Sequence, residues 1–547
     1  MSAATARLHT AWWPTGTRTA EETENLQSIR WYMCDRDMSA GRPSRIRGLL
    51  TRHGWLAAIA VIYLYVFPYY PRIQSANELP RLYLVTAIVD DHTFAIDNGV
   101  KRWGKTSDLA AHDHHYYPNK APGASLFAVP VYAAARWLFG EPSLATTMWL
   151  CRMATGVAPT LALLWLLYGF LQRYAPDPEL RRLVVIAYAL GSLALPYSLL
   201  YYSHQLSAVC IASAWVLALD VADRRRGVIA MAVAGLLAGC APLVDYQAAF
   251  AAIPIAVHAI WRMRRAQFSA AKIGRALLVA GAGAVLPIAL LLYYHWACFG
   301  SPFATGYNYA VTYGADHDHG LLGMTTPTWN AFFGTMWAPD NGFFALAPWW
   351  LLAIPGSVVL WRSDERGTVI VAAAVAAAFI YFISSIGFWR AGWEVGPRYL
   401  TAMQPFLLPL VCGALTRVRA RPFLVGAASG LIVVAVVIYV SAIATMPYWP
   451  DAIRNPLYDV AFRLLTDGAV APNAGQWGLS GAFSIVPYFG GVALVVGWAI
   501  QRAGNLRSVV VALSIGAVVI AGFAWLPRNA AVSQRIYVRT LYPAVMP

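Results

Sequence analysis

Asn77-Glu78-Leu79-Pro80-Arg81 opens, and Asn119-Lys120-Ala121-Pro122-Gly123 closes, a polar insert at residues 72–122 of an otherwise apolar chain. Between these two ends stand Asp90, Asp91, Asp97, Asp108 and the run His112-Asp113-His114-His115. Only 12% of the residues are charged, so such crowding within one insert needs a reason. Outward from it the pattern is uniform. Hydrophobic residues make up 59% of the chain, and apolar runs of about 18 residues or more recur, long enough to cross a ~30 Å hydrocarbon layer. A soluble chain of 547 residues would hold two to four domains; this one reads instead as an all-α polytopic membrane protein.

The formal charge of +15 is therefore a topology signal and not a nucleic-acid footprint, because Lys and Arg near spans are retained on the cytoplasmic side. The basic clusters are Arg173/Arg181/Arg182, Arg224-Arg225-Arg226, Arg262/Arg264/Arg265, Arg362/Arg366, Arg417/Arg419/Arg421 and Arg502/Arg507. Placing all of them inside predicts thirteen spans: 55–70, 145–172, 182–202, 205–222, 227–244, 246–262, 276–297, 342–361, 367–387, 400–416, 422–446, 483–501 and 508–526. The N-terminus is then cytoplasmic and the C-terminal tail external. Ser125–Phe139 is short, carries Arg136 and ends in Gly140-Glu141-Pro142. Counting it as a crossing would turn every later basic cluster outward, so it reads as an external juxtamembrane or re-entrant helix that extends the insert to residue 143. Residues 298–340 contain no Lys or Arg, as an external loop should.

The expected organisation is a cytoplasmic, disordered tail at 1–53, a transmembrane catalytic module at 54–446 that includes the external loop 72–143, and a final region at 447–547 with an external segment, two further spans and a tail. The N-terminal tail lacks the layout of a cleavable signal, and Met38 is a plausible alternative start. Six cysteines, Cys34, Cys151, Cys210, Cys240, Cys298 and Cys412, show no metal-type spacing, and no disulfide is expected.

Glu78 and Arg81 are three apart and share a helix face. On spacing alone they read equally well as a surface pair anchoring an interfacial helix and as a carboxylate base beside a phosphate-binding cation. Lys120 sits where the chain re-enters the membrane, as a headgroup anchor or as a point charge for a lipid-linked phosphate. His204, in Tyr201-Tyr202-Ser203-His204-Gln205, and Asp245, in Val244-Asp245-Tyr246-Gln247, stand at outer span ends, where an ionisable group is costly unless paired or hydrated. Arg398 lies in Trp393-Glu394-Val395-Gly396-Pro397-Arg398-Tyr399 and offers a bidentate fork for phosphate. His112, His114, Asp316 and His317 have metal-ligand chemistry but no diagnostic spacing, so no cofactor is assigned and a divalent metal ranks last. There is no Gly-rich cradle followed by Lys-Ser/Thr, no H-E-x-x-H and no G-x-S-x-G.

This order of features resembles the GT-C superfamily of polyprenyl-phosphate-sugar-dependent glycosyltransferases, which includes protein O-mannosyltransferases and lipid A aminoarabinose transferases. Members carry Asp-Glu just after the first span and a Lys-Pro-Pro-type motif before the chain re-enters the membrane. Asn77-Glu78 and Lys120-Ala121-Pro122-Gly123 stand in those places here. Cys298-Phe299-Gly300-Ser301-Pro302-Phe303, Ala338-Pro339-Asp340-Asn341-Gly342-Phe343-Phe344 and Gly396-Pro397-Arg398-Tyr399 are similar to a bacterial branch. The resemblance covers residues 54 to 446. Asn77 departs from it, leaving Glu78 as the substitute base, with Asp90, Asp97 and Asp108 as alternatives.

The resemblance implies an inverting transfer from a polyprenyl-phosphate sugar to a hydroxyl of a lipid, glycan or protein acceptor, on the periplasmic face of a bacterial inner membrane. It implies Glu78 as base, with Lys120, Arg398 and Arg81 on the donor phosphate. Asn77, Asp97, Asp108, His204, Asp245 and Tyr399 would orient the substrates. The expected partners are that donor, the acceptor and membrane lipids, with no nucleic acid. Two rivals remain: a transporter or flippase for a lipid-linked or soluble solute, and a polysaccharide polymerase or ligase.

Overall fold

The computed structural model describes residues 45–66, 75–312, 314, 320–470, 479 and 481–528. Asp316 and His317, the C-terminal tail and the alternative start at Met38 lie outside them. Contacts divide the chain into residues 1–54 and 55–547, and the second unit holds the helical bundle. Its elements in order are α1 (Arg45–Tyr65, which begins in the first unit), α2 (Leu79–Asp90), α3 (Asp97–Trp103), strands β1 (Leu109–His112) and β2 (His115–Pro118), and α4 (Gly123–Phe139). Then come α5 (Leu144–Arg173, with a π turn at Met153–Val157), α6 (Pro178–Leu190), α7 (Ala194–Leu199), α8 (His204–Ala222), α9 (Ile229–Val244), α10 (Ala252–Arg265) and α11 (Ala270–Phe299). After the loop come α12 (Trp329–Trp337), α13 (Ala353–Trp361), α14 (Arg366–Ser385), α15 (Arg398–Val418), α16 (Pro422–Ala444), α17 (Val486–Ala503) and α18 (Leu506–Phe523).

The chain is an all-α polytopic membrane protein. Among the described residues, eight helices are long and apolar enough to cross a membrane, and four apolar helices are shorter, α4 among them. Leu278, Val285 and Leu286 of α11 stay exposed, as side chains facing lipid do. Two expected continuous spans are interrupted. The run 182–202 breaks at Gly191-Ser192 between α6 and α7, and 342–361 breaks at Ala347, whose φ/ψ of −136/70 is non-helical. Pro348 disfavours the helical conformation in the residue before it.

Helices α9 and α11 meet backbone to backbone. A Cβ at Gly235 would overlap the Ala280 carbonyl, and one at Gly283 the Ala232 carbonyl. Such reciprocal small-residue contacts are how helices associate where lipid removes the hydrophobic drive between them. The five described cysteines are buried and unpaired.

The basic clusters gather at one end of the bundle. Arg173, closing α5, bonds Asp223 just past α8 at 3.0 Å. Arg262 at the end of α10 reaches Asp223 and, before α14, Glu365, each at 2.8 Å. Arg419 pairs with Asp177, which caps α6, and Arg502 with Glu179 at 3.2 Å. Burial alone would push the Asp223 carboxyl up, but hydrogen bonds from Arg262 and Arg173 outweigh it and hold the group below the usual 3.8. Against burial likewise, Arg419 holds Asp177 down. A depressed carboxyl contributes stability that is fully present above its unfolded value and is lost as pH falls through the folded one. The thermal midpoint of the purified protein is therefore expected to drop as pH is lowered below about 4, and Asp223→Asn to flatten that drop; an unchanged slope would show that the network does not carry it.

Candidate active site

The opposite end is built on the polar insert. Helix α8 runs from this end, at His204, to the ionic network, at Asp223, about 28 Å at 1.5 Å per residue. Glu78 stands at the N-terminal boundary of α2, fully buried. Its Oε1 accepts hydrogen bonds from Arg152 Nε at 3.0 Å, Arg152 Nη2 at 2.8 Å and the Tyr201 amide at 2.6 Å. Its Oε2 accepts from the Tyr448 hydroxyl, which also receives Arg152 Nη2 at 3.2 Å. The carboxylate and the guanidinium thus satisfy each other in a place where either alone would be very costly.

One turn further along α2, Arg81 is also buried, at 2% exposure. Its guanidinium donates to the backbone carbonyl and side-chain oxygen of Asn77, and to Ser203 Oγ at 3.2 Å, while Nε has no protein partner. Among the described residues no carboxylate pairs with it. Two more cations face the same space. Lys120 lies 3.4 Å from Asp108 and 5.1 Å from the centre of the Tyr307 ring. Arg398, at the start of α15, lies 3.1 Å from Glu394 and over the rings of Tyr202 and Tyr399, at 5.4 and 5.5 Å. Burial pulls the Lys120 ammonium below its ordinary value; Asp108 opposes this, and Arg398 and Arg81 add to it. Lys120 is therefore close enough to both arginines to be repelled by them.

Lys120 is positioned by the hairpin. The strands pair Leu109 with Pro118 through His112 with His115, and one step beyond, the Asn119 amide bonds the Asp108 carbonyl at 3.3 Å. Asp108 and Lys120 thereby meet. Asp113 and His114 form the turn with positive φ of 48° and 65°, the geometry of a tight type I′ hairpin. Gly306 packs directly on Asn119, where a Cβ would come within 2.7 Å of its Cα, and this brings Tyr307 over Lys120.

His204 and Asp245 form a buried dyad, with Nδ1 and Oδ2 2.6 Å apart. A carboxylate on Nδ1 fixes the proton there and leaves a lone pair on Nε2. Nε2 is buried without a protein partner among the described residues, and the edge of the ring meets Tyr399 at 5.3 Å.

Of the sequence candidates, Asn77, Glu78, Arg81, Asp108, Lys120, His204, Asp245, Arg398 and Tyr399 thus come together. Asp97 does not. Its carboxylate holds His115 Nδ1 at 2.7 Å and the Tyr116 amide at 2.9 Å, bracing the hairpin against α3. His112 rests on the Cys298 carbonyl at 3.0 Å and His114 is in the turn. No three His, Cys, Asp or Glu side chains converge on a common point among the described residues. Arg152, Tyr448 and Glu394 join the site without having been candidates. Arg152 had a signal, being a lone charge inside the apolar run 145–172.

No family model and no curated protein sequence matches the chain. Among solved structures it is similar to ArnT from Cupriavidus metallidurans bound to undecaprenyl phosphate, at 13% identity and a TM-score of 0.47 over 87% of this chain and 78% of that one. It is also similar to the arabinosyltransferase EmbB from Mycobacterium smegmatis (11%, TM-score 0.44, 91% of this chain and 43% of that one). A third is the archaeal oligosaccharyltransferase AglB from Archaeoglobus fulgidus (13%, 0.41, 84% and 57%). At these identities and TM-scores the likeness concerns the fold alone.

Removing one member of the Glu78–Arg152 pair strands the other charge, so Glu78→Gln or Arg152→Gln is expected to cost about 3–5 kcal/mol. The double variant should recover a large part of the loss; a double variant as unstable as the sum of the two single ones would remove the pair from its structural role.

Proposed function

We propose that this chain is a membrane glycosyltransferase that moves a sugar from a polyprenyl-phosphate donor to an acceptor hydroxyl, with inversion, at the bundle end away from the basic loops. By the retention of positive residues inside, that end is the periplasmic side of a bacterial inner membrane. One observation carries the reading: among the described residues Arg81 is a buried guanidinium with only neutral hydrogen-bond partners, beside the buried Arg398 and the mostly buried Lys120. An uncompensated buried charge is strongly unfavourable, and a phosphate anion between Arg81, Lys120 and Arg398 supplies what is missing.

The reaction needs little else. The acceptor oxygen attacks the anomeric carbon opposite the phosphate. The bond from that carbon to the phosphate oxygen breaks, with its electron pair staying on polyprenyl phosphate. The three cations stabilise the charge gathering there, and the acceptor's proton passes to a base.

Two groups compete for that proton. Glu78 holds the place that the resemblance implies, yet both its oxygens already accept hydrogen bonds and a proton there would weaken the ion pair with Arg152. His204 is favoured by its bare Nε2, with Asp245 behind it in the manner of a histidine base oriented by a carboxylate.

With synthetic polyprenyl-phosphate sugars, the purified protein is expected to consume a donor and release polyprenyl phosphate; transport of a solute without donor turnover would sink the proposal in favour of a transporter. Arg81→Met should lower turnover by about 10²- to 10³-fold, and Lys120→Ala should weaken use of the donor. His204→Gln should lower the rate by about 10²-fold or more and abolish the acidic limb of the pH–rate profile. If that limb survives, Glu78 is the base.

A further inference from the structure

Glu394 is a carboxyl that the transfer chemistry above does not use. It stands in the external segment between α14 and α15, at 5% exposure, and its backbone amide donates to the Trp449 carbonyl at 3.1 Å. Gly396, at φ 72°, turns the chain between Glu394 and Arg398. Oε2 comes within 3.1 Å of Arg398 Nε, but no side-chain donor is aligned on either oxygen among the described residues. Glu78 differs, since Arg152, the Tyr201 amide and the Tyr448 hydroxyl all donate to it. Glu78 is built as a permanent ion, whereas the charge on Glu394 rests on one neighbour.

Nothing nearby replaces that neighbour. Arg390 is paired with Asp340 and donates to the Asp451 carbonyl at 3.1 Å, and the Asp451 carboxylate is a like charge. The Tyr197, Tyr202 and Tyr399 phenols that face the pair are neutral below about pH 10. A buried carboxylate whose one cation turns to another anion either stays a bare charge or takes a proton, and the proton costs far less. Burial already pushes this carboxyl up to about 8, against the pull of Arg398. A route for the proton is present. Beside Glu394 lies a cleft with room for about one water, with the Arg390–Asp340 pair and the exposed Asp451 at its rim.

We propose that Glu394 is a proton-linked counter-ion, holding Arg398 while the site is empty and taking up a proton from water when a phosphate reaches Arg398. The proton returns to water when the phosphate leaves. The inference rests on the phosphate reading of the site and gives that site its regulation. A neutral Glu394 leaves the whole Arg398 charge to the leaving phosphate, and its re-ionisation helps polyprenyl phosphate depart.

The test titrates farnesyl phosphate into the full chain in detergent by calorimetry, in two buffers of different ionisation enthalpy, which counts the protons taken up on binding. At about pH 9 the wild type is expected to take up protons, and Glu394→Gln to lose roughly half of that uptake or more. What remains belongs to Lys120, whose ammonium burial also pulls down. With its neutral amide, the variant should bind the probe about tenfold tighter than wild type at that pH. At about pH 6, where the carboxyl is already protonated, the two should take up equal numbers. Equal uptake at pH 9 overturns the proposal. Should the variant misfold, the infrared difference spectrum of the wild type decides: adding the probe at pH 9 should remove a carboxylate band and raise a protonated carboxyl band, and the absence of both changes overturns it. Proton-coupled binding without donor turnover would keep the counter-ion and fail the transferase reading. Turnover with an uptake that Glu394→Gln leaves unchanged would do the reverse, and no binding of the probe would fail the phosphate site itself.

Discussion

The buried pair of Glu78 and Arg152 is the constraint on which the rest of this site depends. It joins the start of the insert, the middle of α5, the turn before α8 and the segment after α16, four parts of the chain up to 370 residues apart. Each tie places something else by short covalent distance. Arg81 follows Glu78 by one helical turn, and Tyr202, Ser203 and His204 follow Tyr201 directly. A mutually satisfied ion pair in a low-dielectric interior tolerates little displacement, because every shift uncovers charge. That intolerance makes it a good reference point for weaker contacts such as Arg81 to Ser203.

The two ends of the bundle handle charge in opposite ways. At the network end Arg173, Arg262, Arg419 and Arg502 each face a carboxylate, and Asp223 serves two of them. At the other end the carboxylates fall short. Asp108 attends Lys120 and Glu394 attends Arg398, but among the described residues Arg81 has only an asparagine and a serine. The first arrangement locks helices together. The second leaves an electrostatic deficit in a fixed place, which is what recognition of an anion requires.

Much of this was legible from residue order. Hydropathy located α8, α14 and α16 closely, while Arg81, Lys120 and Arg398 stood out one by one at span ends and were joined into one group only by the family resemblance. Arg152 was visible as a charge in an apolar run, but its partner lies 74 residues away and periodicity says nothing about such pairings. Tyr448 and the Asp340–Arg390 rim were hidden for the same reason. The breaks before α7 and α13 were written in Gly191 and Pro348, but the length of the hydrophobic runs outweighed them. The run His112–His115, which ranked lowest on sequence, is a hairpin turn, where Asp113 and His114 adopt positive φ.

That hairpin acts as a ruler. Its four residue pairs lead directly to Asp108 and Asn119, so the position of the Lys120 ammonium is set by counting pairs from the turn. Strand side chains alternate faces, and a slip of one residue sends every one of them to the other side. Apart from His115, which Asp97 holds, the exposed residues along β1 and β2 are accordingly free to vary in kind, while the number of residues between Asp108 and Lys120 is not. In the evolution of this chain, length in that segment is the conserved quantity to look for, more than identity.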